Sequence, residues 1–169
     1  EVTTEVTQEV VTEFQDEVIV ETETVVSEEV NSTPEVKSVE YNVTDEAQLQ
    51  DALNKEGAII NLQNSINITT KIYVNAKNVT INGNDHTLSI IETNVSNMFM
   101  VRGSGLTVND LTITGYASSG MYIYNAKDVS LNNVKLYGKY DKTSLVGIDA
   151  DSSEITMENV TTRNHKYSA

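Results

Sequence analysis

A chain of 169 residues with 38% hydrophobic content can bury one modest core, and its net charge of −14 disfavours a nucleic-acid-binding role. Cysteine is absent, which rules out a disulfide framework and a thiolate metal site. No apolar run approaches the roughly 18 residues that a membrane span requires.

The acidity is concentrated at the start. Residues 1–40 hold 12 acidic side chains and one basic, Lys37, so they carry −11 of the charge and leave −3 to residues 41–169. Neither part has a basic stripe, so no nucleic-acid partner is expected. The opening segment repeats Glu, Val and Thr (Glu1-Val2-Thr3-Thr4-Glu5-Val6-Thr7, then Glu9-Val10-Val11-Thr12-Glu13), with Phe14 as its one aromatic residue. High like charge and scarce aromatics predict a disordered or extended spacer over 1–40, with the folded domain at 41–169. No basic n-region or apolar h-region opens the chain, so any signal peptide is expected to have been removed or omitted.

A capping helix is predicted next, at about 45–56. Thr44 or Asp45 can act as N-cap, Leu49, Ala52 and Leu53 form one apolar face, and Gly57 supplies the stop. Ile59-Ile60-Asn61-Leu62 then starts a first coil, continued by inward Ile66 and Ile68 and by Ile72 and Val74.

From there the chain repeats itself. Val79-Thr80-Ile81-Asn82 returns as Leu106-Thr107-Val108-Asn109, as Val129-Ser130-Leu131-Asn132 and as Ile155-Thr156-Met157-Glu158, with starts 27, 23 and 26 residues apart. Alternation at period two marks a strand with one buried face, and the long period marks a supersecondary unit stacked on copies of itself. A second strand follows each echo, at Leu111–Gly115, Val134–Gly138 and Val160–Asn164, and a third precedes it, at Met98–Gly103, Met121–Ala126 and Val146–Asp151. Asp110, Asn133 and Asn159 occupy one corner, and Gly115, Gly138 and Asn164 the next, residue types that suit sharp turns.

Three strands and three corners per repeat describe a solenoid. Copies of one strand run in the same direction, and crossovers between parallel strands are right-handed in nearly all cases. The expectation is an all-β, right-handed parallel β-helix of about four coils over 58–165. Its inward ladders would be Leu106/Val129/Ile155, Leu111/Val134/Val160 and Met100/Ile123/Ile148. The chain stops at Ala169 just after a strand, so a longer solenoid truncated at its C-terminus is expected.

The runs Thr44–Leu53, Ile59–Leu62 and Asn78–Leu88 resemble the start of a pectate-lyase-like adhesive domain of Gram-positive surface proteins and methanogen adhesin-like proteins. The most specific piece is Asn82-Gly83-Asn84-Asp85-His86-Thr87-Leu88, where family members commonly place Gly at the position of Asp85. The resemblance covers roughly residues 43–165. It implies a β-helix displayed on the cell surface or secreted, a cell-wall-associated location, and a binding role as a monomeric module of a longer chain, without membrane insertion.

Two function classes follow. An enzyme of the polysaccharide lyase or glycoside hydrolase kind needs clustered carboxylates for Ca²⁺ with an Arg or Lys base. Asp149 and Asp151 project from one strand, Asp128 and Asp141 lie at corners, and Arg163 and Lys135 face out from a neighbouring sheet. Such acidic pairs are more often solubility features, so the active site of an enzyme would lie mostly outside this segment. His86 and His165 are almost three coils apart, too far for a joint metal site or acid–base dyad. His86 is expected to cap the Asn-Gly-Asn-Asp-His turn. The six Asn-x-Ser/Thr sequons, at Asn31, Asn42, Asn67, Asn78, Asn94 and Asn159, reflect the Asn and Thr that corners and strands need.

The other class is a non-catalytic adhesion module. In the strand before each echo, Met98/Met100, Met121/Ile123 and Val146/Ile148 are assigned the inward phase. Tyr73, Phe99/Val101, Tyr122/Tyr124 and Gly147/Asp149 then face out. An outward ladder of Tyr73, Phe99, Tyr122 and Tyr124, flanked by Asp149 and Asp151, is the expected binding surface for an extracellular glycan or surface protein. Tyr116, Tyr137 and Tyr140 add aromatics near adjoining corners. No catalytic residue, cofactor or metal is expected.

Overall fold

The computed structural model describes residues 37–91, 97–139 and 144–167. Residues 1–36 of the spacer expected over 1–40, and Asn94, Tyr140 and Asp141, lie outside the described residues. The chain folds as a parallel β-solenoid of about four turns, with three sheets and one short helix.

A strand and a helix precede the first turn: β1 (Val39–Val43) and α1 (Glu46–Ala52). The first turn holds β2 (Ala58–Leu62), β3 (Ile66–Ile68) and β4 (Ile72–Val74). The second holds β5 (Thr80–Asn82), β6 (Thr87–Ile90) and β7 (Phe99–Val101). The third holds β8 (Thr107–Asn109), β9 (Thr112–Thr114) and β10 (Ser119–Tyr124). The fourth holds β11 (Val129–Asn132), β12 (Lys135–Tyr137) and β13 (Val146–Asp151), and β14 (Ile155–Glu158) and β15 (Thr161–Arg163) open another. Strands of three to six residues are too short to stand alone, so each turn depends on its neighbours for pairing and burial.

The six-stranded sheet has the order β1-β2-β5-β8-β11-β14, the five-stranded sheet β15-β12-β9-β6-β3 and the four-stranded sheet β13-β10-β7-β4, every pair parallel. The four echoes lie in register, Ile81 on Val108, Leu131 and Met157, and Asn82 on Asn109, Asn132 and Glu158. Their inward residues Val79, Leu106, Val129, Ile81, Val108 and Leu131 are buried. On the outer side the asparagines bond to one another: Asn82 Nδ2 donates to Asn61 Oδ1 (2.8 Å), Asn109 to Asn82 (3.0 Å) and Asn132 to Asn109 (2.9 Å). This chain of amides ties coil to coil without using core volume.

The corners follow the sequence pattern. Asp110, Asn133 and Asn159 adopt positive φ of 51°, 55° and 54°, and Asn133 and Asn159 each donate to the residue one coil below. In the second turn Asn84 and Asp85 both take positive φ, and the His86 amide donates to the Gly83 carbonyl, closing a tight turn. Glycine would relieve the cost of that backbone at Asp85. Gly138 serves its corner by close approach, since a Cβ there would lie 2.5 Å from the Asn164 carbonyl oxygen.

The helix caps the solenoid near the expected place, though it is shorter, ending at Ala52. Asp45 is the N-cap and accepts from the Gln48 amide at 2.8 Å. Leu49, Ala52 and Leu53 are buried, as their spacing predicts. Glu46 fastens the helix to the β3–β4 corner, where the amides and hydroxyls of Thr69 and Thr70 all donate to its carboxylate at 2.7–2.9 Å. The strand β1 was not anticipated. It begins at Val39, inside the segment assigned to the spacer, and pairs with β2 through five residues. Val39, Tyr41 and Val43 alternate with Glu40 and Asn42, the period-two pattern of a strand, but the boundary at residue 40 cuts through it.

The inward phase of the third strand is corrected. Phe99 is fully buried and Met100 faces outward, because Ile72, Phe99, Met121 and Ile148 share one inward row and Val74, Val101, Ile123 and Ala150 the next. The ladder assigned to Met100, Ile123 and Ile148 therefore fails at Met100, which is one residue out of phase, while Ile123 and Ile148 are inward as assigned but stand in different rows. Gly147, assigned outward, is buried, and a Cβ there would lie 2.7 Å from the Thr162 side chain. Strict alternation fails where Ser119, Gly120 and Met121 are consecutively buried. Tyr116 is also buried, not a surface aromatic.

Candidate functional site

The four-stranded sheet presents an outward row of Tyr73, Met100, Tyr122 and Asp149, fixed by the pairing of β4, β7, β10 and β13. Tyr124 lies two residues beyond Tyr122 on the same side of β10 and opposite Asp151. Strands stack about 4.8 Å apart, so Tyr73 and Tyr122 stand about 10 Å apart with the flexible Met100 between them. Tyr73 and Tyr124 are 47% and 44% exposed, a high value for tyrosine on a paired strand.

Tyr122 and Tyr124 form the best-defined feature. Their ring centroids are 6.4 Å apart and their planes differ by 8°, so the two phenols form a parallel, stacked pair. Asp149 and Asp151 are exposed on the adjacent strand, beside Tyr122 and Tyr124 respectively. One oxygen of Asp151 accepts from the Ser152 hydroxyl at 2.9 Å, and Ser152 takes positive φ to turn the chain at that edge. Flat apolar rings bordered by hydrogen-bond acceptors can stack on a ring and accept its hydroxyl protons.

Five of the six predicted site residues thus share a face: Tyr73, Tyr122, Tyr124, Asp149 and Asp151. Phe99 does not, because its side chain is core. Met100 takes its place in the row, and counting back from each echo reveals it: Ile72 and Phe99 both lie seven residues before the echo that follows.

The residues weighed for a lyase do not converge. Arg163 and Lys135 lie on the outward side of the five-stranded sheet, whereas Asp149 and Asp151 lie on the four-stranded sheet. Among the described residues no group of three or more His, Cys, Asp or Glu is placed to hold a metal ion. The two histidines are in separate settings. His86 is half-buried at the tight turn, and His165 stacks on Tyr116 at 5.7 Å with a 2.6 Å bond between Nε2 and the phenol oxygen. Burial pushes the Tyr116 phenol well above its ordinary pKa and holds His165 below its own.

No helix among the described residues is long and apolar enough to cross a membrane. No curated protein and no solved structure matches the chain. The model of the pectate lyase-like adhesive domain family matches residues 40–168, from the strand that opens the six-stranded sheet through the last turn. With its solenoid and this match over most of its length, the chain belongs to the pectate lyase-like adhesive domain family.

Proposed function

We propose that this domain is a non-catalytic adhesion module, displayed outside the cell, that holds a glycan against the outward face of its four-stranded sheet. The observation that carries the reading is the exposed, parallel-stacked Tyr122–Tyr124 pair with a carboxylate-bearing register partner beside each ring. Sugar rings stack on such phenols, and hydroxyl groups at their rims donate to Asp149 and Asp151. The sheet holds the rings in place before the ligand arrives, so little side-chain entropy is lost on binding. Each tyrosine acting as an anchor contributes about 2 kcal/mol. The flanking carboxylates disfavour a polyanionic ligand on this face and favour a neutral or amino sugar. A surface protein of a host or neighbouring cell is the alternative occupant of the same rings.

The test is an array of neutral and amino-sugar glycans, together with matrix proteins, probed with the wild type and with Tyr122→Ala/Tyr124→Ala. The reading predicts glycan binding that the double variant loses, at an unchanged melting temperature. Equal binding by both proteins means that the tyrosines serve only the fold.

A further inference from the structure

The five-stranded sheet has a different outward chemistry. Its rows read Thr87, Thr112, Lys135, Thr161 and Ser89, Thr114, Tyr137, Arg163. Along the second row runs an open groove of about 920 Å³, lined by Thr114, Tyr137, Lys139, Arg163 and Asn164 with Ile90. Among the described residues its lining holds two cations and an aromatic ring and no carboxylate, in a chain whose net charge is −14. The salt bridges among the described residues are Lys55–Asp51 and Lys127–Glu154, and neither involves the groove.

We propose that this groove binds an anionic polysaccharide, with Arg163 and Lys139 contacting its carboxylate or sulfate groups and Tyr137 stacking on a sugar ring. Tyr137 and Arg163 are register partners on adjacent strands, so a ring platform and a guanidinium fork stand side by side. A guanidinium meets a carboxylate or sulfate with two parallel hydrogen bonds, and an ammonium supplies a second point charge. The Thr114 hydroxyl, next in the same row, serves the ligand's own hydroxyls. An acidic peptide fits less well. Peptides gain affinity by adding a strand to an open sheet edge, whereas Thr114 and Tyr137 sit on strands paired on both sides. The inference concerns a separate face and does not depend on the tyrosine–carboxylate surface.

The experiment is calorimetric titration of the whole chain with an oligoguluronate hexasaccharide, a heparin-derived hexasaccharide, cellohexaose and hexaglutamate. At least one of the two anionic sugars should bind at least about tenfold tighter than cellohexaose, and that binding should weaken as salt is added. Which of them binds assigns the group as carboxylate, sulfate or both. Arg163→Ala/Lys139→Ala should lower that affinity about tenfold or more with no change in melting temperature, since neither side chain is in the core. Tyr122→Ala/Tyr124→Ala should leave it intact, which separates this groove from the other face. The proposal is overturned if neither anionic sugar binds, if the Arg163/Lys139 variant binds equally well, or if hexaglutamate binds as tightly as the sugars.

Discussion

Nine of the ten non-glycine residues with positive φ among the described residues are Asn or Asp, so the corners are set by side chains that tolerate the left-handed region. Asn133 combines that role with two bonds, donating to Asp110 at 2.8 Å and accepting from Asn159 at 3.1 Å. Asn133→Gly should cost less stability than Asn133→Ala, which loses the same bonds and adds backbone strain of about 1 kcal/mol. Chemical denaturation of the two variants measures the difference, and equal losses would remove the backbone argument. In the ladder itself, Val129 is buried between Leu106 and Ile155. Val129→Asp should destabilise by several kcal/mol by burying an unpaired charge, and an unchanged melting temperature would contradict the inward assignment. His165 gives a pH signature. Its pKa is lowered in the folded state by burial, so its contribution is complete above the unfolded value of about 6.5 and declines as pH falls below it. Melting temperature should drop from neutral pH toward pH 5 more steeply in the wild type than in His165→Gln, and parallel profiles would assign the drop to other groups.

At the scale of elements, the capping helix has seven residues and depends on its attachment. Burial acts to raise the Glu46 pKa, but the bonds from Thr70 and Thr69 outweigh it and hold the carboxyl below its ordinary value. The stabilisation is therefore present above the ordinary carboxylate range and lost as pH falls through the lowered value. Glu46→Ala should cost about 2 kcal/mol in urea denaturation, and loss of amide protection at Thr69 and Thr70 would place the damage at this clamp. The helix was legible because Asp45, Leu49, Ala52, Leu53 and Gly57 each carry a separate signal. The echo strands were legible for a similar reason, since alternation and a long period agree. The third strand was not, because Met98-Phe99-Met100-Val101 is apolar throughout and alternation cannot choose its phase. Stacking on Ile72 and Met121 makes that choice, and it turned Phe99 from a surface ring into core. The strand β1 was missed although Val39, Tyr41 and Val43 alternate with Glu40 and Asn42, because the end of the acidic segment at residue 40 falls inside the strand.

Across the whole molecule, the solenoid sorts chemistry by face. The six-stranded sheet carries hydrogen-bonded asparagines, the four-stranded sheet tyrosines and carboxylates, and the five-stranded sheet cations around Tyr137. Periodicity alone assigned most site residues to faces, because Tyr73, Tyr122 and Asp149 each alternate with apolar inward residues in their own strand. It could not show that the Tyr122 and Tyr124 rings stack in parallel, since ring orientation depends on local packing. The groove beside Arg163 was equally invisible, as it arises from four coils whose lining residues are ordinary one by one. The claim that the tyrosine–carboxylate face is the adhesive surface is tested most directly by mapping amide and aromatic NMR shifts while a glycan selected from the array is added. The account predicts that the largest changes fall on Tyr73, Tyr122, Tyr124, Asp149 and Asp151, with the glycan recovered unchanged. Shifts confined to another face, or cleavage of the glycan during the titration, would contradict it.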